Sequence, residues 1–204
     1  WRRPGDDPTR WLTYADLQAA RDRFAAGLHE SGLRQGDRLA ILTDGGFEPL
    51  IAFLAADRLG LTAVPLCHKS ATEVLAHNIT HSGMTAILVD DRGGEAFDAV
   101  RPSLTSAPRV LRTEASMGEG TAWADLQSEQ PPPAVDVGPD DESKILFTSG
   151  SSGLPKGVVQ THGNIVANVR SVWDLISNTG SKRFFKSAPD YHSMGILNIY
   201  YPLA

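Results

Sequence analysis

Two rhythms of apolar residues alternate along this chain. Leu17, Ala20, Phe24, Ala25 and Leu28 recur at helical spacing behind Thr13 and Asp16, a capping box with Asp in place of the usual Glu, and Gly32 ends that helix. Leu39-Ala40-Ile41-Leu42 then reads as a short buried strand, and Phe47 to Leu59 as a strongly apolar helix stopped by Gly60. The alternation continues with a strand at Thr62–Leu66, a helix capped by Thr72 and stopped at Gly83, and a strand at Ala86–Val89. A short helix from Glu95 to Val100 breaks at Pro102, and a strand follows at Arg109–Arg112. After Gln130–Asp141, with its Pro131-Pro132-Pro133 run, come a strand at Lys144–Phe147, a Gly-rich turn and a helix. That helix carries Ile165, Val169, Val172, Trp173 and Ile176 on one face, and Phe184-Phe185 suggests a last strand. Short, continuously apolar strands separated by helices predict an α/β fold with a mostly parallel sheet covered on both faces. The pattern divides the chain into residues 1–129, a Pro-rich crossing at 130–141 and a strand–turn–helix segment at 142–204. No internal repeat is present.

Composition changes this picture little. The 204 residues are 41% hydrophobic and 21% charged with a net charge of −5, ordinary for a soluble domain, and no basic block suits nucleic acid or an anionic membrane. No apolar run reaches the ~20 residues that span a bilayer. With Cys67 the only cysteine, no disulfide forms within the chain, and the cytoplasm is the default compartment. The chain opens at Trp1 and closes in an apolar run from Gly195 to Ala204, which reads as a piece cut from a longer protein.

The chemistry concentrates in Phe147–Val158, FTSGSSGLPKGV. From Thr148 to Lys156 Leu154 is the only bulky apolar side chain, so this stretch builds no core. Gly150, Gly153 and Gly157 let a ligand approach the backbone, while Thr148, Ser149, Ser151 and Ser152 supply hydroxyls. Successive N–H groups in such a loop form an anion-binding concavity, and Lys156 adds a point charge. The pattern suits a polyphosphate, although it is no Walker loop. Position 155 is Pro where that motif needs Gly, and Gly157, not Ser or Thr, follows the lysine.

These residues, with Thr161-His162-Gly163-Asn164-Ile165 after them, resemble the phosphate-loop signature of the adenylate-forming superfamily, whose members include acyl- and aryl-CoA synthetases, fatty acyl-AMP ligases, peptide-synthetase adenylation domains and luciferases. The family's second hydroxyl pair is usually Ser-Thr or Thr-Thr, and here it is Ser151-Ser152. Leu12–Leu17, Gly36-Asp37-Arg38 and Leu59-Gly60 leading to Val64-Pro65-Leu66 resemble the family's opening region in order. The likeness covers nearly the whole chain but only about the first half of the family's large domain.

The segment Ala188–Gly195, APDYHSMG, resembles the place where the family sets an aromatic or His gate beside the acyl pocket. The resemblance implies that His192 lines this pocket on the catalytic side, and that Thr148, Ser149, Gly150, Ser151, Ser152, Gly153 and Lys156 bind the nucleotide. Amino-acid-activating members usually carry Phe-Asp at the gate and Val-Pro-Ile-Asp earlier. This chain has Tyr191-His192 and Val64-Pro65-Leu66-Cys67, which favours an acyl or aryl acid, and it departs from fatty acyl-AMP ligases at Ser193, where those carry Asp. The implied cofactors are ATP and Mg²⁺. The implied partners are a small carboxylic acid, CoA or an acyl carrier protein as acceptor, and the remainder of the enzyme, with the adenine, ribose and terminal-lysine sites beyond Ala204. The competing readings are a non-catalytic relative serving as an interaction module and an amino-acid adenylation domain.

Other polar residues carry the bland reading. His77 and His81 stand i, i+4 without a third ligand and read as a solvated helix face. Asp90-Asp91 reads as a strand-end turn, Cys67 as a small buried hydrophobe, and His29 and Asp57-Arg58 as helix surface.

Overall fold

The computed structural model describes residues 12–114, 118–148, 153–176 and 188–203, leaving out the side chains of 174–176. Helices α1 (Tyr14–Glu30), α2 (Phe47–Leu59), α3 (Thr72–Ser82) and α4 (Asp91–Val100) alternate with strands β1 (Arg38–Leu42), β2 (Thr62–Pro65), β3 (Ala86–Val89) and β4 (Arg109–Arg112). After them come β5 (Thr121–Ala122), β6 (Glu142–Thr148), β7 (Lys156–Thr161), α5 (His162–Ile176) and α6 (Ser193–Tyr200). The strands form one seven-stranded sheet in the order β5-β4-β3-β1-β2-β6-β7. Every neighbouring pair is parallel except β6 and β7, which are antiparallel. The expected parallel sheet is thus present with one reversed edge strand.

Alternation along the strands separates two cores. Leu39, Ile41, Ala63, Leu88 and Leu146 pack with α1, α2 and α6, while Ala40, Leu42, Val64, Ile87 and Ile145 pack with α3 and α4. Helix α2 is buried along most of its length, which explains why its sequence shows no polar face. The Thr13/Asp16 capping box forms as expected.

Several expectations change. The Gly-rich turn is followed by a strand, β7, before the helix begins at His162. Gly157, Val158, Val159 and Thr161 include three β-branched residues that favour this extended pairing. The strand escapes sequence reading because Val158 and Val159 are exposed at the sheet edge and break any alternation. The turn is therefore the tip of a hairpin and does not abut the N-terminus of α5. Ala71, not Thr72, precedes the first turn of α3, and α4 starts four residues earlier than the periodicity suggests because the Asp90 carboxylate caps it at Gly93 N. The strand expected at Phe184-Phe185 lies outside the described residues. Residues 130–141 form neither helix nor strand. Gln35 and Arg58 hold this crossing by donating to the carbonyls of Asp136 and Pro133.

Candidate active-site cleft

The carboxyl ends of β2 and β6 open into a cleft of about 650 Å³. In an open α/β sheet this is where ligands bind. Pro65, Leu66 and Cys67 form the wall beyond β2, and Leu146, Phe147 and Thr148 the wall at the end of β6. Helix α3 contributes Val74 and Asn78, the hairpin contributes Pro155, Val158 and Gln160, and Tyr191, His192 and Ser193 close another side. The two segments singled out in the sequence, Phe147–Val158 and Ala188–Gly195, therefore meet at one cavity.

Of the nucleotide-binding candidates, Ser149, Gly150, Ser151 and Ser152 lie outside the described residues. Thr148 and Lys156 are partners in the last rung of the hairpin, so their side chains leave the same face of the sheet. The Thr148 hydroxyl donates to the Lys156 carbonyl at 3.4 Å across the mouth of the turn. Lys156 is exposed, and Gly153 has φ +152°, a conformation that side-chain-bearing residues rarely adopt. The turn is anchored from the side by His77, whose Nε2 lies 3.1 Å from the Pro155 carbonyl. His77 also stacks on His81 at 5.3 Å, so the expected solvated face instead holds the hairpin in place.

His192 stands at the N-cap position of α6, its side chain making no capping hydrogen bond. Its exposed ring tilts against Tyr191 at 4.7 Å. Burial, a hydrogen bond with Cys67 and the nearby Asp44 carboxylate push the Tyr191 phenol up to about 12, so it stays neutral and a donor throughout the physiological range. Gly195 lets this segment fold back tightly, since a Cβ there would lie 1.8 Å from the Pro189 carbonyl oxygen.

At the opposite end of the hairpin lies a polar cluster that sequence reading missed. Lys144 is 0% exposed, and its Nζ donates to Asp57 Oδ1 at 2.6 Å and to Ser143 Oγ at 2.9 Å. Asp57 also accepts from the Ser143 hydroxyl at 3.2 Å and from the Tyr200 hydroxyl at 2.5 Å, and His162 Nδ1 lies 4.0 Å away. A bulge between Glu142 and Lys144 interrupts the register where Ser143 and Lys144 both reach Asp57. Asp57 is thus no plain surface residue. It ties α2, β6 and α6 together beside the start of α5. Burial lowers the His162 pKa and raises that of Tyr200 well above its ordinary value, which keeps both neutral. A lysine inside an apolar strand was the available signal, because a buried ammonium requires a partner.

Among the described residues no three His, Cys, Asp or Glu side chains gather as a metal cage, and no helix is long and apolar enough to cross a membrane.

The sequence profile described as AMP-binding enzyme matches residues 3–204. A feruloyl-CoA synthase from an Amycolatopsis species is 32% identical over 185 residues, which cover 91% of this chain and 35% of that protein. The long-chain-fatty-acid–CoA ligase FadD13 of Mycobacterium tuberculosis is 28% identical, covering 92% of this chain and 37% of that protein. The chain thus spans about a third of the length of these relatives. Among solved structures, ATP-bound MatB from Rhodopseudomonas palustris superposes with a TM-score of 0.76 at 27% identity, over 94% of this chain and 38% of that one. The o-succinylbenzoate CoA synthetase of Bacillus subtilis, solved with its acyl-adenylate intermediate, gives 0.77 at 25% identity over 95% of this chain and 37% of that one.

Proposed function

The chain belongs to the AMP-binding enzyme family, and from that premise we propose that it forms the phosphate-gripping part of an ATP-dependent acid ligase. The reaction is R–COO⁻ + ATP → R–CO–AMP + pyrophosphate. A carboxylate oxygen forms a bond to the α-phosphorus, and the bond from that phosphorus to the bridging oxygen breaks as pyrophosphate leaves. The observation that carries this reading is the shared cleft, which Thr148 and Pro155 of the hairpin and the Tyr191–Ser193 segment border together, with Lys156 paired to Thr148 next to it.

Two anions must meet in this reaction. Unit charges 4 Å apart repel by about 4 kcal/mol at an effective dielectric near 20. The Lys156 ammonium offsets part of that charge, and one charge-assisted hydrogen bond to a phosphate contributes about 1.5–3 kcal/mol. The Thr148 hydroxyl is positioned to turn from the Lys156 carbonyl toward a phosphate oxygen. Small hydroxylated and Gly residues of this kind in a turn let successive backbone N–H groups form an anion-binding concavity. Mg²⁺ would further neutralise the departing pyrophosphate, but the described residues gather no site for it, and no step here depends on one. His192 and the neutral Tyr191 border the acid side, where a partly apolar wall suits an acyl or aryl body. CoA or a carrier protein is the natural acceptor of the activated acyl group.

The test is ATP–pyrophosphate exchange by the full-length polypeptide across a panel of alkyl and aryl acids. Acid-dependent exchange that falls at least tenfold in Lys156→Ala supports the reading. Exchange absent with every acid points instead to a non-catalytic relative.

A further inference from the structure

The cleft holds one feature that the adenylation chemistry leaves unused. Asn78 is 5% exposed and lines the cavity, yet its Oδ1 is buried and has no hydrogen-bond partner among the described residues. Its backbone carbonyl is engaged by Ser82 Oγ at 2.7 Å, whereas the side-chain Oδ1 is left unpaired. Leaving a buried amide group unpaired costs about 1–3 kcal/mol, which a ligand supplying the missing partner recovers.

The location of this amide is fixed. Leu75 and Ile79, on either side of it along α3, are buried in the sheet core, and His77 docks the same helix on the Pro155 carbonyl. Asn78 therefore faces the cavity from a rigid element, as a specificity contact requires. The surrounding chemistry decides what it reads. The cleft it lines is walled by Val74, Pro65, Leu66, Leu146 and Phe147 with the neutral polar Ser70, Thr148 and Gln160, and among the described residues its lining includes no Asp, Glu, Lys or Arg. A second charge on the ligand would be buried without a counter-ion there, at a larger cost than a neutral polar group.

We propose that Asn78 is a specificity-determining residue that selects a carboxylic acid whose apolar body bears a neutral hydroxyl group. This rests on the reading of the cleft as the acid-binding site. The unpaired Oδ1 accepts a hydrogen bond from the ligand hydroxyl, which donates its proton. A site built to bond a hydroxyl discriminates strongly against the analogue lacking it, because the site's own polar group is then left unpaired.

Calorimetric titration of the full-length protein with matched acids tests this. The panel contains aryl and straight-chain acids, each with and without a terminal hydroxyl, and a dicarboxylate of similar length. In the wild type the hydroxylated member of at least one pair binds about tenfold tighter, and the dicarboxylate binds more weakly than either member. Asn78→Leu removes the preference, both by weakening the hydroxylated acid and by tightening its deoxy partner. Asn78→Ala, with folding checked by circular dichroism, loses the preference without depending on how leucine packs. The inference is overturned if both members of every pair bind within about threefold in the wild type, which would mean that water serves the amide, or if the preference survives both substitutions. Pyrophosphate exchange separates the two levels. Exchange without hydroxyl preference contradicts only the role of Asn78, whereas a hydroxyl preference in titration without exchange contradicts only the adenylation reading.

Discussion

One hairpin carries two lysines with opposite lives. Lys144, near its open end, is fully buried and bound to Asp57, while Lys156, at its tip, is exposed and lies beside a run of small hydroxylated residues. The first end is a solved electrostatic problem, with donor and acceptor matched among Asp57, Ser143, Lys144 and Tyr200. At the other, the Lys156 side chain is exposed, where the proposed phosphate contact would lie. The same cation is thus expected to cost stability when its carboxylate is removed from one end and, on the proposed function, to cost binding when it is itself removed from the other. The geometry links the two ends. Asp57 holds the end of α6 through Tyr200 and lies 4.0 Å from His162 at the exit of β7, and those are the elements that begin just after His192 and at Lys156.

The largest expected effect is at the buried end. Asp57→Ala strands the Lys144 ammonium inside the protein and should destabilise the fold by about 3–5 kcal/mol in denaturant unfolding. A loss below about 1 kcal/mol would show that the buried lysine is served by other groups. Gly195→Ala should cost about 1–3 kcal/mol, since its new methyl must push the Pro189 carbonyl aside, and acid binding should weaken through the displaced His192 segment. An unchanged acid affinity would detach that segment from the cleft.

The pH dependence is smaller. His162 has a folded pKa below its unfolded value of 6.5, chiefly through burial, so the unfolded chain takes up the proton more readily. Stability is therefore complete above 6.5 and declines as pH falls below it, by a fraction of a kcal/mol given the partial exposure of the ring. His162→Gln should flatten that decline in unfolding midpoints measured between pH 7 and pH 5. The smallest stability effect belongs to Lys156→Ala, within about 0.5 kcal/mol, as expected for an exposed side chain with no partner to strand among the described residues.

Legibility in the sequence follows the same division. Helices and strands buried on a regular period, such as α2, β3 and β4, could be read directly, and so could the Gly-rich tip, because its composition excludes a core role. Strand β7 could not, since an edge strand exposed at Val158 and Val159 has no alternation to betray it. Asp57 and Asn78 were hidden for another reason. A polar residue on a helix is ordinarily at the surface, and only the tertiary arrangement shows that one meets a buried lysine and the other faces a cavity. The one legible clue was Lys144 itself, a charge set within an apolar strand.

The central claim is that the tip of the hairpin grips a triphosphate. Equilibrium titration of ATP into the full-length wild-type protein and Lys156→Ala, at matched folded fraction, tests it most directly. A weakening of about tenfold or more with an unchanged unfolding midpoint is the predicted result. Equal ATP affinity in the two proteins would contradict the claim.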